Sequence, residues 1–142
     1  MIHPNSYDEL ESIVSRASQP DPWVMYLIAR QSLNMSSGKL AAQAGHAVGM
    51  MYDYYSCLWL IQMNEDQQVM FDNFFQWKTK SFRKVTLKAK EGEWEKVKDQ
   101  CYCFLVKDAG LTEVDPGSET VIGLWPMKKS QAPRLIRKLQ VL

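Results

Sequence analysis

Apolar and polar positions alternate along the chain in blocks whose period switches between helical and extended. Ser6-Tyr7-Asp8-Glu9 forms a capping box, and Leu10, Ile13, Val14 and Ala17 then recur at helical spacing, which predicts a short amphipathic helix over 7–17. Gln19-Pro20-Asp21-Pro22 ends it. Trp23 to Arg30 (WVMYLIAR) is a bounded apolar run, the pattern of a central strand buried on both faces. A polar turn, Asn34 to Gly38, leads into a helix from about Lys39 to Tyr55. A second helix, 65–77, starts behind an Asn64 cap with Gln67 at the third helical position.

Phe82 to Ala89 alternates strictly, with Val85, Leu87 and Ala89 on one side and Lys84, Thr86 and Lys88 on the other, a half-exposed strand with a basic face. A short helix over 91–99, strands at 101–107 and 120–125, and a closing basic helix over 133–139 complete the pattern. Helices alternating with four strands predict the α/β class: one three-layer α/β/α domain built on a four-stranded mixed sheet. Residues 1–20 form an addition, the extra N-terminal helix, and 21–142 form the domain proper.

Composition narrows the class. The chain has 142 residues, 46% of them hydrophobic and 11% aromatic, enough for one core without disulfides. Disorder is not expected, and no apolar run approaches the roughly 20 residues of a membrane-spanning helix. Met1 to Glu11 lacks the basic start and apolar stretch of a signal peptide. The three cysteines, an odd number without framework spacing, point to a reducing, cytoplasmic setting.

The net charge of +1 conceals polarity: residues 1–77 carry three basic against eight acidic residues, and residues 78–142 fourteen against eight. Such an imbalance suggests a polyanionic partner on one side of the molecule.

Several familiar chemistries fail on spacing. Ser36-Ser37-Gly38-Lys39-Leu40 follows a strand as a phosphate loop would, but Leu33 stands where the first glycine belongs and Leu40 where the magnesium-binding hydroxyl belongs. Two histidines and a Cys101/Cys103 alternation give no zinc set, and those cysteines read as small buried apolar residues. Cys57 and His46 share a helix face but lie about 16 Å apart, too far for a nucleophile and its base.

Two stretches remain. In Lys39-Leu40-Ala41-Ala42-Gln43-Ala44-Gly45-His46-Ala47, the side chains of Lys39, Gln43 and His46 project from one helix face. The small residues between them predict a helix packed closely on a sheet, with Gly45 at the close approach. His46 taken alone reads as a core histidine with one hydrogen bond. Lys39 opposes the helix dipole, so its replacement should cost little stability, and function is a fair explanation for it. The second stretch, Asp108-Ala109-Gly110-Leu111-Thr112 with Pro116-Gly117-Ser118-Glu119-Thr120, starts at a strand end, where ligands gather in open α/β sheets.

Together the two stretches resemble the archaeal and eukaryotic type of peptidyl-tRNA hydrolase. The residues that carry the resemblance are Gly38, Lys39, Ala41, Ala42, Gln43, His46 and Ala47, then Asp108, Ala109, Gly110, Thr112, Pro116, Gly117, Ser118 and Thr120, and it extends over about 23–142. It implies a four-stranded mixed sheet, hydrolysis of the ester that joins a peptide to the 3′ ribose of tRNA, a homodimer, and no metal or organic cofactor. It also implies Lys39, Asp108, Thr112 and Thr120 as catalytic residues, with Gln43, His46, Gly110 and Ser118 supporting them.

Chemically the set is coherent: Asp108 takes a proton or orients water, and Lys39 faces the oxyanion or a terminal phosphate. Transfer RNA is expected on Lys84, Lys88, Arg134, Arg137 and Lys138. Leu111 departs from the basic residue usual at its position, the 55–81 region is longer and the 91–99 crossover shorter. These departures motivate the alternative of an inactive RNA- or protein-binding module on the same fold.

Overall fold

A computed structural model of the chain describes residues 20–110 and 113–142, so the helix expected over 7–17, Leu111 and Thr112 lie outside the described residues. The architecture is α/β, with a mixed sheet covered by helices on both faces.

Strand β1 (Trp23–Arg30) lies in the middle of the sheet, its six inner residues buried. It runs parallel to β2 (Arg83–Ala89) and antiparallel to β4 (Glu119–Leu124), and β3 (Cys103–Lys107) pairs antiparallel with β4 at the outer edge.

Strand alternation assigns the residues of β1 to two cores. Val24, Tyr26 and Ile28 pack with Trp94 and Val97 of helix α3 (Glu91–Gln100) and with Ile136 of the short helix α4 (Arg134–Arg137). Met25 and Leu27 face Ala47, Met51, Tyr55 and Leu58 of helix α1 (Ser37–Leu58), with Phe74 of helix α2 (Glu65–Gln76) and Trp77 beyond them.

The expected Asn64 cap is present as a full box: Gln67 N donates to Asn64 Oδ1 and Asn64 N to Gln67 Oε1. After α2 the chain makes a wide helical turn over 77–81, reverses at Phe82 in the left-handed region (φ 55°) and enters β2. Buried Trp77 pins that turn by donating Nε1–H to the Arg83 carbonyl at 2.8 Å.

Three expectations need correction. The sheet has six strands rather than four, because β5 (Met127–Lys128) pairs with β1 and β6 (Gln140–Val141) with β2. Two-residue strands carry no periodicity, which is why the pattern did not reveal them. The helix expected over 133–139 is a single turn; once Ile136 and Leu139 are buried, the free edge of β2 takes up the chain, and Leu142 N reaches the Thr86 carbonyl at 3.0 Å.

Finally, Gly45 is not the close approach. A Cβ there meets nothing within 4 Å, whereas one on Gly123 of β4 would lie 2.6 Å from Met51 Cε and 3.3 Å from Ala47 Cβ. It is the glycine in the strand that admits α1 to the sheet, and this contact sets the helix beside the carboxyl end of β3.

Cys101 and Cys103, expected to be buried, are only half-buried against the core, and Cys57 is exposed. Burial first, and then Cys101 alongside, pushes the Cys103 thiol up to about 11.

Candidate active site

Helix α1 begins two residues before the sequence suggests, at Ser37. Ser36 is its N-cap, Oγ accepting from Lys39 N at 3.3 Å, so Lys39 lies in the first helical turn. The ammonium opposes the helix dipole there, and its counter-charge comes from the end of β3. Lys39 Nζ donates to Asp108 Oδ1 at 2.6 Å, with the two side chains only 11% and 5% exposed. A pair so withdrawn from water leaves an uncompensated charge when either partner is removed. Replacing Lys39 is therefore costly to the fold, contrary to the expectation from the dipole alone.

Asp108 is held from several sides. Gln43 Nε2 donates to Oδ1 at 3.2 Å and Gly110 N to Oδ2 at 2.7 Å. The Lys39 hydrogen bond chiefly, with the amides of Gly110 and Ala109, keeps its carboxyl below the usual carboxylate range despite the opposing effect of burial. Gln43 is itself fixed, because Thr120 Oγ1 donates to its Oε1 at 2.7 Å. Thr120 is fully buried, and its hydroxyl also approaches the Val106 carbonyl at 3.4 Å. An amide suits position 43 because it accepts from a hydroxyl on one side and donates to a carboxylate on the other; glutamate would do only the first.

The loop from Asp108 to Ser118 is shaped by two glycines. Asp115-Pro116-Gly117-Ser118 is a turn with Ser118 N donating to Asp115 O at 3.1 Å and Gly117 at φ 79°, the arrangement of a type II turn. Gly110, at φ 76°, has no room for a side chain: a Cβ would lie 2.4 Å from Pro116. Asp108 N to Ser118 O and Gly117 N to Asp108 O, both 2.8 Å, close the loop. Ser118 thus contributes its carbonyl here.

Glu113 has no place in the sequence-based site. Its carboxylate accepts from Ser36 N at 2.9 Å and from Ser36 Oγ, tying the loop to the cap of α1. These bonds lower its carboxyl below the usual range. The available signal was an acid five residues beyond Asp108 and a serine at a helix start, which only the fold brings together.

Lys39, Gln43 and Asp108 line one end of an open cleft of about 970 Å³ between α1 and β3. His46 is exposed and lines the same cleft, so it is not a core histidine. The predicted tRNA contacts do not gather here. Lys84 and Lys88 lie on β2, three strands across the sheet, with Lys84 Nζ over the Phe82 ring at 3.4 Å; burial lowers its pKa. Arg134, Arg137 and Lys138 lie in and just after α4. Among the described residues, no group of three histidine, cysteine, aspartate or glutamate side chains is placed to hold a metal ion.

Fold and site together define an α/β protein with a lysine–aspartate centre at a strand end. The sequence model of the family Peptidyl-tRNA hydrolase PTH2 matches residues 23–142, and the chain belongs to this family. It is 31% identical over 123 residues to a peptidyl-tRNA hydrolase of Methanococcus vannielii, covering 82% of this chain and 96% of the relative. Against a peptidyl-tRNA hydrolase of Methanopyrus kandleri it is 32% identical over 122 residues, 82% and 95% of the two chains. A human relative, "Peptidyl-tRNA hydrolase 2, mitochondrial", is 30% identical over 127 residues, 85% of this chain and 65% of the relative.

Proposed function

We propose that the chain hydrolyses the ester between peptide and tRNA, with Lys39 and Asp108 at the reacting carbonyl. The observation that carries this reading is the withdrawn 2.6 Å Lys39–Asp108 pair, locked by Gln43 and opening on a cleft. Water adds to the carbonyl carbon, the bond to the ribose oxygen breaks, that oxygen takes up a proton, and the peptide leaves as a carboxylate. The ammonium of Lys39 offers a fixed positive charge to the developing oxyanion.

Asp108, held below the usual carboxylate range, is a weak base at neutral pH, which favours orienting the water over taking its proton. Thr120 acts through Gln43 as a positioning residue, Ser118 holds the loop closed through its carbonyl, and Thr112 takes a catalytic role on the strength of its motif alone. His46 faces substrate along the cleft. This chemistry calls for no metal or organic cofactor.

The tRNA body lies across the basic edge formed by Lys84, Lys88, Arg134, Arg137 and Lys138. A second copy of the chain packs on the exposed apolar surface of Trp59 (63% exposed), Leu60 (85%) and Val69 (58%). The domain 21–142 is the catalytic unit, residues 1–20 an addition to it, and the cytoplasm its compartment; no helix among the described residues is long and apolar enough to cross a membrane.

A release assay with N-acetyl-aminoacyl-tRNA tests the activity. Free tRNA and acylated amino acid should accumulate with turnover. No turnover by folded protein would favour the binding module instead.

A further inference from the structure

The Lys39–Asp108 centre occupies only one end of the cleft. From there the opening follows α1 past Gly45 and His46 to Gly49 and Met50, with Leu105, Val106 and Lys107 of β3 as the facing wall. Gly38 to Gly49 corresponds to about 16 Å of helix, the length of roughly five extended residues.

We infer that this trough is the peptide subsite: the peptidyl part of the substrate lies in it extended and adds its main chain to the open edge of β3. The inference rests on the reading of the chain as a peptidyl-tRNA hydrolase. Strand β3 ends the sheet on this side, pairing with β4 alone among the described residues. The Val106 carbonyl is turned toward Thr120 on β4, so alternation along the strand directs the N–H and C=O of Leu105 to the open edge. An extended peptide satisfies such an edge by strand addition, and main-chain pairing of this kind does not depend on the guest's sequence.

The direction also fits. β3 runs toward Asp108, so a peptide with its esterified carbonyl at the Lys39–Asp108 pair traces back along β3 toward Cys103. The helix wall is open for a reason other than packing: Cβ atoms on Gly45 and Gly49 would meet nothing within 4 Å. Glycine is unfavourable inside a helix, and no neighbouring element requires it at these two positions. The trough's charges are of both signs, Lys107 with Asp53 and Glu113, which suits a neutral amide backbone better than a run of phosphates.

Hydrolysis of a substrate ladder on one tRNA tests this, from N-acetyl-aminoacyl to N-acetyl-tetrapeptidyl. kcat/KM should rise about tenfold between one and three residues, the scale of one or two main-chain hydrogen bonds. Replacing the amide of the second residue by an ester should abolish most of that gain, while exchanging its side chain should not. Gly45→Leu, which favours the helix and fills the trough, should bring the ratio of long to short substrate close to one, with circular dichroism reporting the fold.

A flat length profile, or a gain indifferent to the amide, overturns the inference while hydrolysis of the shortest substrate keeps the hydrolase reading intact. If Gly45→Leu instead weakens inhibition by deacylated tRNA and leaves the length profile unchanged, the trough holds nucleic acid and the inference falls. If folded protein hydrolyses no member of the ladder, the hydrolase reading fails and the peptide subsite fails with it.

Discussion

The two edges of the sheet handle polar side chains in opposite ways. At the β3 edge, Lys39, Asp108, Gln43 and Thr120 hold one another in a continuous chain of hydrogen bonds, three of the four residues buried. On the opposite side, where the two-residue β6 flanks β2, Lys84, Lys88, Arg134, Arg137 and Lys138 are spread over a strand, a single helical turn and the residue after it, with Lys84 resting on an aromatic ring. Linked groups fix each other's geometry, so changes at the first edge should be strongly non-additive. Dispersed cations act on a polyanion one at a time, so changes at the second should add.

The largest effect is expected at the centre of the linked edge. Asp108→Asn keeps the shape and removes the charge, and single-turnover hydrolysis should slow by roughly 10²–10⁴-fold. Because the carboxyl lies below its usual range in the fold, the acid limb of kcat/KM should lie below that range too. The sign for stability follows: a depressed folded value favours the native state above the unfolded pKa near 3.9 and loses that contribution as pH falls through the folded value. The stability gap between wild type and Asp108→Asn should therefore be constant at neutral pH and shrink below about pH 4, as denaturant titrations at several pH values would show.

One step out, Thr120→Val leaves the Gln43 carbonyl without its donor in a buried setting. A cost of about 1–3 kcal/mol is expected in urea unfolding. Turnover should fall roughly tenfold, with KM changing less, because the loosened amide no longer positions Asp108. If stability drops while turnover per folded molecule is unchanged, Thr120 belongs to the core alone.

The smallest effects belong to the dispersed edge. Lys84→Ala and Lys88→Ala should each weaken tRNA binding only a few-fold, and each should lower the slope of log Kd against log salt by about one at most. Their free-energy changes should sum in the double variant. An unchanged salt slope would remove this edge from the tRNA path.

The same contrast explains what could be read from the chain before folding. β1 was legible because one apolar run serves two cores, and the Asn64 box because its partners are three residues apart. Lys39, Gln43 and Asp108 were legible as a group only through their motif, since 69 and 65 residues separate the partners in the chain. Glu113 and Ser36 were not, because their contact spans 77 residues and each side chain is commonplace alone. Gly45 misled because a small residue in a helix fits a packed face and an open trough equally well; only the empty space around its missing Cβ separates the two. The two-residue strands β5 and β6 exist through their partners and leave no local pattern.

The most direct test of the account is a double-substitution cycle on Lys39→Ala and Asp108→Asn, read in single-turnover hydrolysis of peptidyl-tRNA per folded molecule. Folded fraction comes from the denaturant curves of the same preparations, since each single variant disturbs a withdrawn ion pair. If the two groups act together on one transition state, the double variant should be about as slow as the slower single variant, far from the product of the two losses. Losses that multiply, or full turnover by the folded fraction of Lys39→Ala, would contradict a joint lysine–aspartate centre.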